Sequence, residues 1–172
     1  AAIKIALKAL GVKSGDEVIT QGFNFIATVE AILDIGAIPI ISNVDSTLNM
    51  DLGDLKKLIT KKTKVILPVH MLGVAAEMDK IKKLAKEKNL KVLEDNCEAV
   101  GAKFKGKYLG TIGDASALSF DFGKVITTGE GGMILTNNKK VDTYSREYHD
   151  HGHENNPRFP RGKDTKKIYG FN

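Results

Sequence analysis

The 172 residues carry 42% hydrophobic and 27% charged side chains, a balance ordinary for one globular domain, here large enough to bury roughly two-thirds of its unfolded surface. No apolar stretch approaches the ~20 residues of a membrane helix, and a single cysteine, Cys97, excludes an internal disulfide framework and suits a reducing cytoplasm. The net charge of +5 comes mainly from lysines scattered over what read as solvent faces; with no basic stripe interleaved with aromatics, no nucleic-acid surface is expected.

Along the chain the apolar period alternates. Ile3, Leu7 and Leu10 recur at helical spacing, and Gly11 is the helix stop. Ser14-Gly15-Asp16 turns into a short strand, Glu17 to Thr20. Ile26, Val29, Ile32 and Leu33 predict a second helix closed by Gly36, then a strand over 38–41. Leu52, Leu55, Leu58 and Ile59 mark a third helix, and residues 65–69 a buried strand. Met78, Ile81, Leu84 and Ala85 give a fourth helix before a strand over 91–94. After Asp95 the pattern changes to a small hairpin over 103–108, short strands over 115–120 and 133–136, and a helix over 141–148. From His149 onward the chain is polar, with Pro157, Pro160 and Gly162, and is expected to form an exposed excursion. The order predicts an α/β fold: a mostly parallel sheet with helices on both faces and right-handed crossovers.

In such sheets ligands bind beyond the carboxyl ends of the strands. Asp95 ends one strand, Lys124 follows another and residues 21–25 follow a third, so the candidate chemistry gathers on one edge. A lysine and an acidic residue so placed are what pyridoxal-phosphate chemistry requires: an amine to bind the cofactor and a carboxylate to keep its ring nitrogen protonated. Glu94 is expected on the opposite strand face from Asp95. Gly129-Glu130-Gly131-Gly132 precedes a strand rather than opening a helix, so it fails as a dinucleotide loop. Its glycines are expected to allow positive φ or close backbone approach. His149, His151 and His153 with Asp150 and Glu154 have metal-ligating chemistry, but alternate spacing in a polar loop supplies no fixed geometry, and no metal site is expected. Cys97 reads as a packed small residue.

Ordered motifs spread over essentially the whole chain carry a family resemblance. They are Gly15-Asp16-Glu17-Val18-Ile19, Phe25-Ile26-Ala27-Thr28, Gly36-Ala37, Val44-Asp45, Pro68-Val69-His70, Glu94-Asp95, Glu98-Ala99, Gly110, Gly113-Asp114, Ser119-Phe120, Lys124, 129–132 and Thr136-Asn137. With them the chain resembles the sugar aminotransferases of the DegT/DnrJ type, in the aspartate-aminotransferase-like fold. The resemblance implies that Lys124 forms the Schiff base with pyridoxal 5'-phosphate and moves the substrate proton, which requires a neutral amine. A related branch with histidine at this position dehydrates its substrate, so lysine points to amino transfer. Asp95 matches the partner of the ring nitrogen, worth about 1.4–4 kcal/mol in favour of the protonated form. Glu98 matches a position near the cofactor's 3-oxygen. Phe25 matches the ring-stacking aromatic, with a core phenylalanine as the alternative because Phe23 lies two residues away. Ser119 matches a cofactor-contacting hydroxyl, with a buried strand serine as the alternative. Ala1 offers the backbone amide remaining from the phosphate-binding turn at a helix N-terminus. Asn172, in Gly170-Phe171-Asn172, matches a segment that reaches the neighbouring subunit's phosphate.

The function implied is transfer of an amino group, from glutamate, to a keto-sugar carried on a nucleotide, in surface polysaccharide or modified-sugar biosynthesis. The resemblance further implies a cytoplasmic homodimer with a shared active site. Residues 1–172 read as an incomplete cofactor-binding major domain, without the C-terminal small domain. The rival readings are a catalytically silent PLP-binding regulatory protein, a metal module built on the histidine tract, and a fragment inactive by itself.

Overall fold

The computed structural model describes residues 1–150. In chain order the elements are α1 (Ala2–Ala9), β1 (Glu17–Gln21), α2 (Ile26–Leu33), β2 (Ile38–Ser42), α3 (Leu52–Leu58), β3 (Thr63–Leu67) and a 3-10 turn at Met71–Gly73. There follow α4 (Met78–Lys88), β4 (Lys91–Asp95), the hairpin β5 (Lys103–Phe104) and β6 (Lys107–Tyr108), β7 (Ala115–Ser119), β8 (Gly132–Leu135) and α5 (Lys139–His149).

Six strands form one sheet in the order β2-β1-β3-β4-β7-β8. All neighbours are parallel except β7 and β8, which pair antiparallel as the last edge. Strand alternation sends successive side chains to opposite faces, and two apolar layers result. Val18, Val65, Leu67 and Leu93 pack with Ile3, Leu7, Ile32 and Val141, under α1, α2 and α5. Ile19, Ile66 and Val92 pack with Leu55, Met78, Ile81 and Leu84, under α3 and α4. The expected sheet with helices on both faces is therefore the fold of the described residues. None of their helices is long and apolar enough to cross a membrane.

The helix ends follow local chemistry. After α1 the Gly11 N–H donates to Lys8 O and the Val12 N–H to Leu7 O, with Gly11 at φ +88°, a paired closure that favours glycine. Gly36 closes α2 the same way, its N–H to Leu33 O and that of Ala37 to Ile32 O. Most boundaries shift by a residue or two, and among the strands the third differs most from expectation. The third strand begins at Thr63 and its ladder stops before Pro68, which has no N–H. Val69 rejoins the sheet through a single bridge to Asp95.

Candidate active site

The parallel strands all end on one edge, and β4 delivers Asp95 to it. Asp95 is 4% exposed, and its carboxylate is held by two donors: Thr28 Oγ1 at 2.8 Å to Oδ2 and the Cys97 N–H at 3.2 Å to Oδ1. Its backbone is pinned as well, its N–H donating to Pro68 O and its carbonyl accepting from the His70 N–H. A buried carboxylate so constrained has little freedom to turn away. Glu94 points to the opposite face, as strand alternation requires.

Lys124 lies in the turn after β7, where its backbone N–H donates to Asp121 O at 3.0 Å. Its ammonium sits 3.4 Å from Glu98 Oε1 and 5.9 Å from the centroid of the Phe25 ring, within the range of a cation–π contact. The other Glu98 oxygen accepts from the Leu72 N–H at 3.3 Å. Phe25 stands just before α2 and is 66% exposed, which rules out the core-phenylalanine reading; Phe23, 45% exposed, is not in the core either. Phe25 and Thr28 thus tie the start of α2 to both Lys124 and Asp95.

The remaining candidates are less convergent. Ser119 ends β7 half-buried, its hydroxyl accepting from the Asp121 N–H at 3.3 Å, so it shapes the turn that carries Lys124. Ala1 precedes α1 and, with Ala27, lines an open groove between α1 and α2. Asn172 lies outside the described residues, as do His151, His153 and Glu154 of the histidine tract. Among the described residues no group of three or more His, Cys, Asp or Glu side chains is arranged to hold a metal. Gly129 has φ +83°, as expected of its loop, and a Cβ at Gly131 would meet Thr128 Oγ1 at 2.7 Å. Cys97 is half-buried; burial and then the negative charge of Asp95 push its thiol far up, away from the reactive thiolate.

Two features of the site were not foreseen. Thr28 falls one helical turn after Phe25, so it shares that face of α2; the spacing was there to be used. The second is a buried pair behind Asp95. Glu94 accepts from His70 Nε2 at 3.0 Å, from Gly110 N at 2.8 Å, from Ile112 N at 2.7 Å and from the Gly113 N–H. Burial pushes this carboxyl up, but the bonds from His70 and the Gly113 and Gly110 amides outweigh it and hold it below the ordinary glutamate range. His70 accepts from the Ala76 N–H at 3.2 Å through Nδ1, which leaves Nε2 to donate to Glu94. No sequence spacing announces such a pair.

An amine, a restrained buried carboxylate and an accessible aromatic ring on one edge are a donor set that fits pyridoxal phosphate. The fold defines the class: this is an aminotransferase fold. An aminotransferase from Psychrobacter cryohalolentis matches at a TM-score of 0.87 and 42% identity, over 90% of this chain and 40% of that one. NtdA of Bacillus subtilis, solved with its bound cofactor PMP, matches at 0.86 and 35% identity, over 98% of this chain and 38% of that one. The chain belongs to the DegT/DnrJ/EryC1/StrS aminotransferase family, whose pattern matches residues 1–172. A GDP-perosamine synthase of Escherichia coli O157:H7 is 50% identical over 141 residues, 81% of this chain and 39% of that protein. The chain thus spans about two-fifths of the length of these relatives.

Proposed function

We propose that the protein is a pyridoxal-phosphate-dependent aminotransferase that transfers an amino group, from glutamate, to a nucleotide-linked keto-sugar in surface polysaccharide or modified-sugar biosynthesis. The observation that carries this reading is the convergence of Lys124, Glu98 and Phe25 beside the buried Asp95. The name of the GDP-perosamine synthase supports a sugar substrate carried on a nucleotide.

When bound, pyridoxal phosphate supplies an electrophilic carbon and an electron-withdrawing ring. Lys124 would hold it through Nζ, and the same nitrogen, once released, would carry the proton between the substrate carbon and C4′ of the cofactor. Asp95 would keep the ring nitrogen protonated, and Thr28 holds Asp95 in place through its hydroxyl. Phe25 would cover one ring face. Glu98 and Ser119 would supply polar contacts, and Ala1 and Asn172 would serve the phosphate, Asn172 from the neighbouring subunit of a homodimer.

The test is borohydride reduction of the full-length protein loaded with pyridoxal phosphate, followed by peptide mass mapping. The expected result is a phosphopyridoxyl adduct confined to Lys124, together with consumption of glutamate when a nucleotide-linked keto-sugar is added. The adduct without turnover on any keto-sugar would favour the regulatory reading. A folded protein with no adduct at Lys124 would overturn the proposal.

A further inference from the structure

The segment from His70 to Ala76 has no regular structure beyond one 3-10 turn, yet it contains a residue in an unfavourable conformation. Leu72 lies at φ +52°, ψ +30°, in the left-handed region that a branched side chain enters at a cost. Its side chain is 69% exposed, so burial of that side chain is not what holds the backbone there. What the conformation achieves is visible in the hydrogen bonds: the Leu72 N–H points at Glu98, and the other Glu98 oxygen points at Lys124.

Conformations of this kind persist where their surroundings determine them; here Asn49 Oδ1 accepts from the Met71 N–H at 3.2 Å, and His70 makes the other bonds that bracket the segment. The His70 N–H donates to Asp95 O, its carbonyl accepts from the Gly73 N–H, and Nδ1 accepts from the Ala76 N–H. His70 therefore closes the segment at both ends. The ring cannot swing, because Nε2 is engaged by Glu94, whose carboxylate is itself fixed by three backbone amides.

We propose that His70 is a positioning residue of the active site: by tying Ala76 to its ring it sets the left-handed turn at Leu72, whose N–H aims the Glu98 carboxylate at Lys124. This rests on the reading of Lys124 and Glu98 as site residues.

The test uses the full-length protein stripped of cofactor with hydroxylamine. Trace acetylation of Lys124 by acetic anhydride is measured by mass spectrometry against the exposed Lys61 as internal standard. Glu98→Gln should label Lys124 about three- to fivefold faster, the scale of a partly exposed ion pair. His70→Gln keeps a donor for Glu94 but loses the acceptor for Ala76, and should show the same rise. Ala76→Pro removes that donor while sparing His70 and Glu94, and should match it; should His70→Gln fail to fold, Ala76→Pro carries the test. His70→Asn places an oxygen where Nδ1 stood and should label at the wild-type rate. If Glu98→Gln labels faster but His70→Gln and Ala76→Pro, both folded, do not, the positioning role is wrong and the site reading stands. If Asn at position 70 labels as fast as Gln does, restoring the acceptor for Ala76 does not restore the contact and the proposal falls. If Glu98→Gln leaves Lys124 unchanged, the contact between them has no force and the positioning role falls, while the adduct at Lys124 tests the site reading separately.

Discussion

Adjacent carboxylates, Glu94 and Asp95, do opposite work because a strand turns alternate side chains to opposite faces. Asp95 faces the site with two donors, and under the proposed function its charge is its contribution. Asp95→Asn keeps a group that can accept from Thr28, so the variant should fold and still carry the adduct at Lys124. Its turnover should fall roughly tenfold to a thousandfold, the equivalent of about 1.4–4 kcal/mol. Glu94 faces inward, and its role is structural first. Because its folded carboxyl titrates below the ordinary 4.5, the native state binds that proton more weakly than the unfolded chain does. Its stabilising contribution is complete above the unfolded value and is lost as pH falls through the folded one. Glu94→Gln presents an amide to backbone donors and should cost about 3 kcal/mol at neutral pH. The gap from wild type in chemical denaturation should narrow as pH falls below the ordinary 4.5. An unchanged gap across that range would show that Glu94 is not the charged acceptor described. Alternation separated these two carboxylates in the sequence, but the partners of Glu94 come from residues 70 and 110–113, which no local pattern connects.

Elements were the most legible level, since their ends are local events. Gly11 and Gly36 close helices with left-handed glycines, and Asp51 caps α3 by accepting from the Asp54 N–H at 2.7 Å. In a helix of seven residues that cap matters, and Asp51→Ala should cost about 1 kcal/mol in thermal or urea unfolding. Gly113 carries a different demand. A Cβ there would lie 2.8 Å from Val92 O and 3.1 Å from Ala115 O, both backbone atoms of sheet strands. Gly113→Ala should therefore destabilise by roughly 1–3 kcal/mol through overpacking and should loosen the loop around Glu94. Protection of the Gly110 and Ile112 amides in hydrogen exchange reads that loosening directly. The strand boundary at Pro68 was missed because the apolar run continues through it while the missing N–H interrupts the ladder.

At the scale of the molecule, six strands bring residues from four separate stretches to one edge, and large apolar side chains are left uncovered near it. Phe122 is 81% exposed, Val125 86% and Ile126 53%, all in the loop beside Lys124. Exposed apolar surface of this kind fits the proposed homodimer, in which the neighbouring subunit completes the site. Val125→Asp in the full-length protein should lower the mass seen in sedimentation from dimer to monomer at micromolar concentration while leaving the unfolding transition in place. A dimer that persists through that substitution would remove this loop from the interface.

The order of helices and strands, the parallel sheet with two covered faces, and the edge that carries Lys124 and Asp95 were readable from the chain, because periodicity, glycine stops and strand alternation are properties of neighbouring residues. Tertiary structure alone decided that Phe25 is exposed rather than packed, that Thr28 restrains Asp95, and that His70 and Glu94 join two distant loops beneath the site. Those outcomes depend on which strands lie side by side and on how buried polar atoms find partners across the sheet.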